Sequence, residues 1–137
     1  MTMLSSFRAG DLEFPHPVAR IASEAMDGRW SKTNEAPQWI DSLVVETKGD
    51  ELYVHIHGSS APSPKDWGRV RADEIFGTLG GNGDARAGGF IAHYDFPDMQ
   101  VEVQANLNLG LLVVATFVQF KQPGPMADRF TREFFWR

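Results

Sequence analysis

The sequence contains no cysteine, which excludes disulfide bonds, thiolate catalysis and thiolate metal ligands. It also lacks an excess of positive charge, since 13 Lys and Arg against 18 Asp and Glu give a net charge of −5. Nucleic acids and anionic membranes bind basic surfaces, so neither is an expected partner. No apolar stretch is long enough for a signal peptide or a membrane span, and a cytoplasmic protein is therefore expected.

The motifs of several enzyme classes are missing as well. The glycine-rich segment 80–84 is not followed by Gly-Lys-Ser/Thr and does not complete Gly-x-Gly-x-x-Gly, so no nucleotide-binding loop is predicted. There is no Gly-x-Ser-x-Gly nucleophile elbow and no His-Glu-x-x-His zinc motif. The sequence therefore predicts no cofactor.

What the sequence does contain, from residue 29 onward, is the period-two alternation of β-strands. Turn residues such as Lys48-Gly49-Asp50 and Asn108-Leu109-Gly110 separate the alternating segments. Before them, apolar residues at helical spacing predict a short helix over 17–26. Eight strands are predicted, at 29–33, 39–47, 51–57, 67–76, 89–96, 99–107, 111–120 and 128–137. Within the fourth strand, residues 72–75 have a helical turn as the alternative.

These elements predict one all-β domain over residues 1–137. Short turns between successive strands favour an antiparallel up-and-down sheet, and eight such strands lose their exposed edges by closing into a barrel. An eight-stranded barrel has room for its own side chains or for one small ligand. The prediction is thus an eight-stranded barrel with a short N-terminal helix.

Two motifs at opposite ends of the chain connect this prediction to known proteins. Gly28-Arg29-Trp30 opens the first strand, and the last strand carries Arg132 and Arg137. In this the chain resembles the calycins, the lipocalin-like and fatty-acid-binding-protein-like barrels. The resemblance implies that Trp30 closes the base of the barrel, that one of the two arginines packs on it in a cation–π contact, and that the barrel holds a small molecule.

The leading functional hypothesis is therefore the binding of a small apolar or aromatic molecule in the barrel cavity. Such cavities are mostly apolar with a few placed polar groups, and the chain is rich in aromatic residues. The predicted ligand-binding residues are Trp67, Phe76, Phe90, Tyr94, Phe117 and Phe134.

The alternative is a cofactor-free isomerase, cyclase or lyase that uses the same cavity. Its candidate catalytic residues are the polar side chains that alternate along three strands, namely Tyr53, His55, His57, His93 and Glu102. If Glu102 faced the interior, burial would raise its pKa and suit it to acid–base chemistry; on the other face it would belong to the solvated side.

A metal site is a further variant. His55 and His57 project from one face of a strand, about 6.5–7 Å apart, close enough to share an ion, with His93 and Glu102 as additional ligands. Because Leu52, Val54 and Ile56 take the opposite face, a solvated or interfacial position for the histidines is the stronger interpretation, and no metal is assigned.

The segment 111–120 is apolar on both faces, which indicates a strand covered on both sides. Either the N-terminal helix or a second subunit would provide the outer cover, and a closed homodimer is the simplest symmetric arrangement. The outward residues would be one of two alternating sets, either Leu111, Val113, Ala115 and Phe117 or Leu112, Val114, Thr116 and Val118.

Overall fold

The computed structural model describes residues 24–35, 38–59, 65–79 and 85–137. The predicted helix at 17–26 lies outside these residues except for a 3-10 turn at Glu24–Met26. In the part of the chain that is described, no helix is long and apolar enough to cross a membrane. Nine strands follow the turn: β1 Gly28–Lys32, β2 Ile40–Lys48, β3 Glu51–Gly58, β4 Asp66–Arg71, β5 Glu74–Leu79, β6 Ala85–Asp95, β7 Met99–Asn108, β8 Leu111–Phe120 and β9 Arg129–Trp136.

All nine strands form one antiparallel sheet in the order β4-β3-β2-β1-β9-β8-β7-β6-β5. The sheet curls into a half-barrel, so the all-β antiparallel prediction is confirmed. β4 and β5 are its two edges, and no strand pairing joins them among the described residues. The sheet thus has two arms, β1 to β4 on one side of β9 and β5 to β8 on the other. Aromatic residues of the two arms meet inside the curl, where Trp67 of β4 packs edge-on against Tyr94 of β6 with ring centroids 5.4 Å apart.

The strand count exceeds the predicted eight because the predicted strand 67–76 is two strands. At the junction the chain changes partners: the Ala72 amide donates to the Leu52 carbonyl of β3, and the Asp73 amide donates to the Ile91 carbonyl of β6. These two consecutive residues connect one edge of the sheet to the other. The segment between the predicted strands 67–76 and 89–96 also contributes strand at both ends, since β5 runs to Leu79 and β6 begins at Ala85.

Alternate side chains of the curled sheet fill its concave face. On β3 the residues Leu52, Val54 and Ile56 are fully buried, as the alternation predicts. Apolar side chains of β6, β7 and β8 meet them, including Phe90, Val103 and Val114. Burial of this apolar area is the main force that stabilises the sheet.

The residues that carry the calycin resemblance pack against one another in the structure. Trp30 is fully buried, and its indole N–H donates to the Met26 carbonyl at 2.9 Å. The Arg137 guanidinium lies 4.6 Å from the Trp30 ring centroid, so the predicted cation–π contact exists and Arg137 makes it. Gly28 has φ +131°, and a Cβ there would lie 3.1 Å from the Arg137 side chain. Gly28 thus adopts a backbone conformation that other residues rarely take, and its lack of a side chain leaves room for Arg137.

The two faces of β8 are now distinguished. Leu112, Val114, Thr116 and Val118 point inward and are buried, which leaves Leu111, Val113, Ala115 and Phe117 as the outward set. Phe117 is half exposed and lies against Phe130 of β9, with ring centroids 5.0 Å apart.

Candidate functional site

An open groove of about 540 Å³ crosses the convex face of the sheet over β6, β7 and β8. Its central row consists of direct cross-strand neighbours, His93 on β6, Glu102 on β7 and Phe117 on β8. A second row is formed by Asp95, Gln100 and Gln119. Alternation places all of these side chains outward because their strand neighbours Tyr94, Val101 and Val118 are buried.

The His93 imidazole lies between two carboxylates. Its Nδ1 is 2.6 Å from an Asp73 oxygen, and its Nε2 is 2.9 Å from a Glu102 oxygen. The hydrogen bond to Asp73 and, to a smaller extent, the one to Glu102 raise the pKa of His93 above its usual 6.5. The Gln104 amide also donates to Glu102, and this bond, followed by the one from His93, lowers the pKa of the Glu102 carboxyl. The groove therefore holds an ionised glutamate beside a histidine that is readily protonated.

A second histidine cluster lies on the β3–β4 hairpin. His55 and His57 are two residues apart on the outer face of β3, with their rings stacked at 4.7 Å and 5° between planes. Asp66 of β4 pairs with His57 across the ladder, and its Oδ1 is 2.6 Å from His55 Nε2. The Gly68 amide donates to the same oxygen at 2.8 Å. The bonds from His55 and Gly68 lower the pKa of the Asp66 carboxyl.

The structure therefore divides the predicted catalytic residues. His93 and Glu102 are brought together in the groove, whereas His55 and His57 are joined by Asp66 instead. Tyr53 belongs to neither cluster, because its hydroxyl donates to Glu51 at 2.7 Å and the Arg69 guanidinium lies 4.2 Å from its ring centroid. The bond with Glu51 raises the pKa of the Tyr53 phenol.

The predicted ligand-binding aromatics are divided between the two faces of the sheet. Trp67, Phe90 and Tyr94 are inside, and the Tyr94 hydroxyl donates to the Gly68 carbonyl at 2.9 Å. Burial raises the pKa of the Tyr94 phenol strongly. The other three lie outside and are exposed, namely Phe76, Phe117 and Phe134. Of the six, Phe117 and Tyr94 border the groove.

One polar residue of the interior was not singled out from the sequence. Glu133 of β9 is 5% exposed, shares the inner face with Phe135, and accepts hydrogen bonds from the Ile40 amide at 3.3 Å and the Thr131 hydroxyl at 3.4 Å. Burial raises the pKa of its carboxyl. Val114 of β8 is the ladder partner of Glu133. Thr116, the next inward residue of β8, has a buried hydroxyl with no hydrogen-bonding partner among the described residues.

No family model, no curated protein and no solved structure matches this chain.

Proposed function

We propose that the protein binds a small aromatic molecule that carries a cationic or hydrogen-bond-donating group, and that the groove over β6, β7 and β8 is its site. The observation that carries the proposal is the alignment of His93, Glu102 and Phe117 as direct cross-strand neighbours within a groove of about 540 Å³. This volume lies within the usual range for small-molecule sites.

The two ends of the row recognise different parts of a ligand. Glu102 provides a carboxylate for a cation, and Gln100 and Gln119 add neutral hydrogen-bonding groups. The Asp95 carboxylate of the second row is already paired with Lys121. Phe117, extended by Phe130, offers an exposed aromatic surface for a ring. The calycin resemblance agrees with small-molecule binding, although here the ligand lies against the convex face rather than in the cavity.

Benzamidine is a suitable probe because its amidinium matches Glu102 and its ring matches Phe117. We expect the backbone amide signals of residues 93, 102 and 117 to move in a nuclear magnetic resonance titration. Acetamidine lacks the ring and benzyl alcohol lacks the cation, so both should bind more weakly. No shifts at millimolar benzamidine, or shifts confined to the inner face around Glu133, would overturn the placement.

Variants test the two contacts separately. A charge-assisted hydrogen bond is worth about 1.5–3 kcal/mol, so Glu102→Gln should weaken benzamidine roughly tenfold or more. Phe117→Ala should weaken benzamidine but leave acetamidine unchanged. Glu74→Gln and Phe76→Ala are matched controls, because both residues are exposed on β5 outside the groove. Equal losses in the controls would argue for nonspecific binding.

The enzyme alternative uses the same groove, with His93 and Glu102 as the acid–base pair of an isomerase, cyclase or lyase. A free imidazole nitrogen is needed to take a proton from a substrate. Both nitrogens of His93 already have carboxylate partners, so the geometry favours binding over catalysis.

A homodimer is a second candidate, favoured by the aromatic residues exposed on the convex face. Phe117, Phe130 and Phe134 are 38%, 57% and 39% exposed on adjacent strands, and apolar patches of this kind promote association. Light scattering should then give twice the 15.3 kDa chain mass. Phe130→Asp should return it to the monomer, and a wild-type monomer at high concentration would exclude the dimer. Val113 also belongs to the outward set of β8, but it is less suitable for this test. Its side chain is only 4% exposed in the single chain, so a charge there would disturb the fold itself.

A further inference from the structure

We propose that His55, His57 and Asp66 form a binding site for a divalent transition-metal ion of the zinc class. The site is independent of the groove, and it replaces the predicted ligand set of His55, His57, His93 and Glu102.

The strand geometry brings the three donors together. Alternation puts His55 and His57 on the same face of β3, and the antiparallel ladder puts Asp66 directly beside His57. The ladder register shifts between Ile56 and His57, and irregularities of this kind commonly re-aim side chains. One nitrogen of each imidazole and one carboxylate oxygen all lie within 4.8 Å of one another.

This spacing is close to that of a coordination sphere. Metal–ligand distances of about 2.0–2.2 Å in a tetrahedral arrangement put two donors on one ion about 3.3–3.6 Å apart. Side-chain movements of about one ångström, shared between the donors, would therefore bring all three onto one ion. The Gly68 amide, at 2.8 Å from Asp66 Oδ1, orients the carboxylate in the way that outer hydrogen bonds orient metal ligands.

An unpartnered nitrogen distinguishes this cluster from an ordinary surface network. His57 Nδ1 is shielded from solvent and has no hydrogen-bonding partner within the described ranges. A buried polar atom in that state is unfavourable, and coordination of a cation would satisfy it. Coordination would also exchange the hydrogen bond between His55 and Asp66 for two bonds to the ion.

The surrounding charges permit a cation. Arg69, the ladder partner of His55, is held by Glu46 at 2.6 Å and stacks on Tyr53, so its charge is neutralised by another carboxylate. His93 is not part of the site, because its two nitrogens point to two different carboxylates on opposite sides of the ring.

The donor set selects the class of ion. Two imidazoles and one carboxylate suit Zn²⁺, Co²⁺, Ni²⁺ and Fe²⁺, whereas Mg²⁺ and Ca²⁺ prefer oxygen ligands. Three protein donors leave at least one coordination position for water or for an anionic ligand. The site is thus able to polarise or bind a small molecule, rather than only to cross-link the hairpin.

Cobalt provides the direct test. The full chain, stripped with a chelator, is titrated with Co²⁺ and Zn²⁺ in a buffer that does not bind metals. We expect one equivalent of Co²⁺ to give a visible d–d absorption band that one equivalent of Zn²⁺ removes. We also expect no competition from Mg²⁺. Binding weaker than millimolar, or a stoichiometry well above one, would overturn the proposal.

Variants and resonance signals locate the ion. His57→Gln and Asp66→Asn should each weaken Zn²⁺ by at least tenfold, whereas His93→Gln should leave its affinity unchanged. Circular dichroism of the metal-free variants checks their folding. Zn²⁺ should also move the imidazole proton signals of His55 and His57 in the wild type and leave those of His93 in place. Equal losses in the His93 variant, or movement of the His93 signals, would overturn the assignment.

Discussion

Two glutamates on the strands that flank β8 show opposite chemistry. Glu102 of β7 lies on the convex face opposite Phe117, and hydrogen bonds from Gln104 and His93 lower the pKa of its carboxyl. Glu133 of β9 lies on the concave face opposite Val114, and burial raises the pKa of its carboxyl. The two residues differ mainly in the face of the sheet they occupy. The face therefore decides whether the pKa of a carboxyl group is lowered by hydrogen bonds at the surface or raised by burial in the core.

The largest effect that separates the two faces should come from tryptophan. Trp30 is fully buried on the concave face and Trp136 is 54% exposed on the convex face. Trp30→Ala should lower the free energy of unfolding by about 3–5 kcal/mol, because it leaves a cavity and removes the contact with Arg137. Trp136→Ala should lower it by less than about 1 kcal/mol. Urea denaturation of both variants measures the difference, and similar losses would contradict the assignment of the faces.

The sequence was sufficient to predict the strands that clear turns bound at both ends. β8 was predicted at its observed bounds, and β7 to within one residue, because polar turns frame both. The pair β4 and β5 was predicted as a single strand because no glycine or proline marks the change of partner at Ala72 and Asp73. That change depends on carbonyls of β3 and β6, which are distant in sequence.

The faces were harder to predict than the strands. Phe134 and Phe135 are adjacent and equally apolar, so alternation alone does not say which points inward, and Glu133 could be assigned to the core only once Phe135 was. The candidate site had the same difficulty. The polar residues of β3, β6 and β7 were identified. Asp66 and Asp73, which complete the two histidine clusters, come from other segments of the chain that only the fold brings beside them.

The next effect concerns pH and the buried carboxyl. Because the folded-state pKa of Glu133 is above its ordinary 4.5, the protonated form is favoured in the folded protein. Its stabilising contribution is complete below pH 4.5 and is lost as the pH rises through the raised folded-state pKa. Glu133→Gln should remove this loss, so its stability relative to the wild type should increase as the pH rises from 4.5 through the raised folded-state pKa of Glu133. A constant difference would contradict the raised pKa.

The convex face should show the reverse dependence for its glutamate. The pKa of Glu102 is below 4.5, so its contribution is present above that pH and is lost as the pH falls through its folded-state pKa. The pKa of His93 is above 6.5, so its contribution is complete below that pH and is lost as the pH rises through its folded-state pKa. The pair should therefore stabilise most between pH 4.5 and 6.5. Glu102→Gln should flatten this maximum in pH-dependent denaturation, and an unchanged profile would show that the pair contributes nothing measurable.

A finer prediction ranks the two partners of His93. Asp73 is the larger cause of its raised pKa and Glu102 the smaller. Asp73→Asn should therefore lower the pKa of His93 further than Glu102→Gln does, as followed by the imidazole proton signals in a pH titration. Asp98→Asn is a control at an exposed turn residue and should leave that pKa unchanged.

The smallest effect should come from Gln104. Its amide makes the bond that contributes most to lowering the pKa of Glu102. Gln104→Ala should raise the Glu102 pKa toward its ordinary value, with almost no change in the stability of the fold because Gln104 is only partly buried. Carboxyl carbon signals report this pKa directly, and an unchanged value would assign the lowering to His93 alone.

The pairing of β1 with β9 has a consequence for how the chain folds. β1 is hydrogen-bonded to β2, which follows it in the sequence. It is also hydrogen-bonded to β9, the last strand of the chain. The hairpins formed by sequential strands close short loops, whereas β1 and β9 close a very long one and lose correspondingly more chain entropy. High contact order of this kind slows folding, to times on the order of milliseconds to seconds. The hairpins are therefore expected to form first as two separate arms, and the rate of folding to be set by the step that joins them at β9.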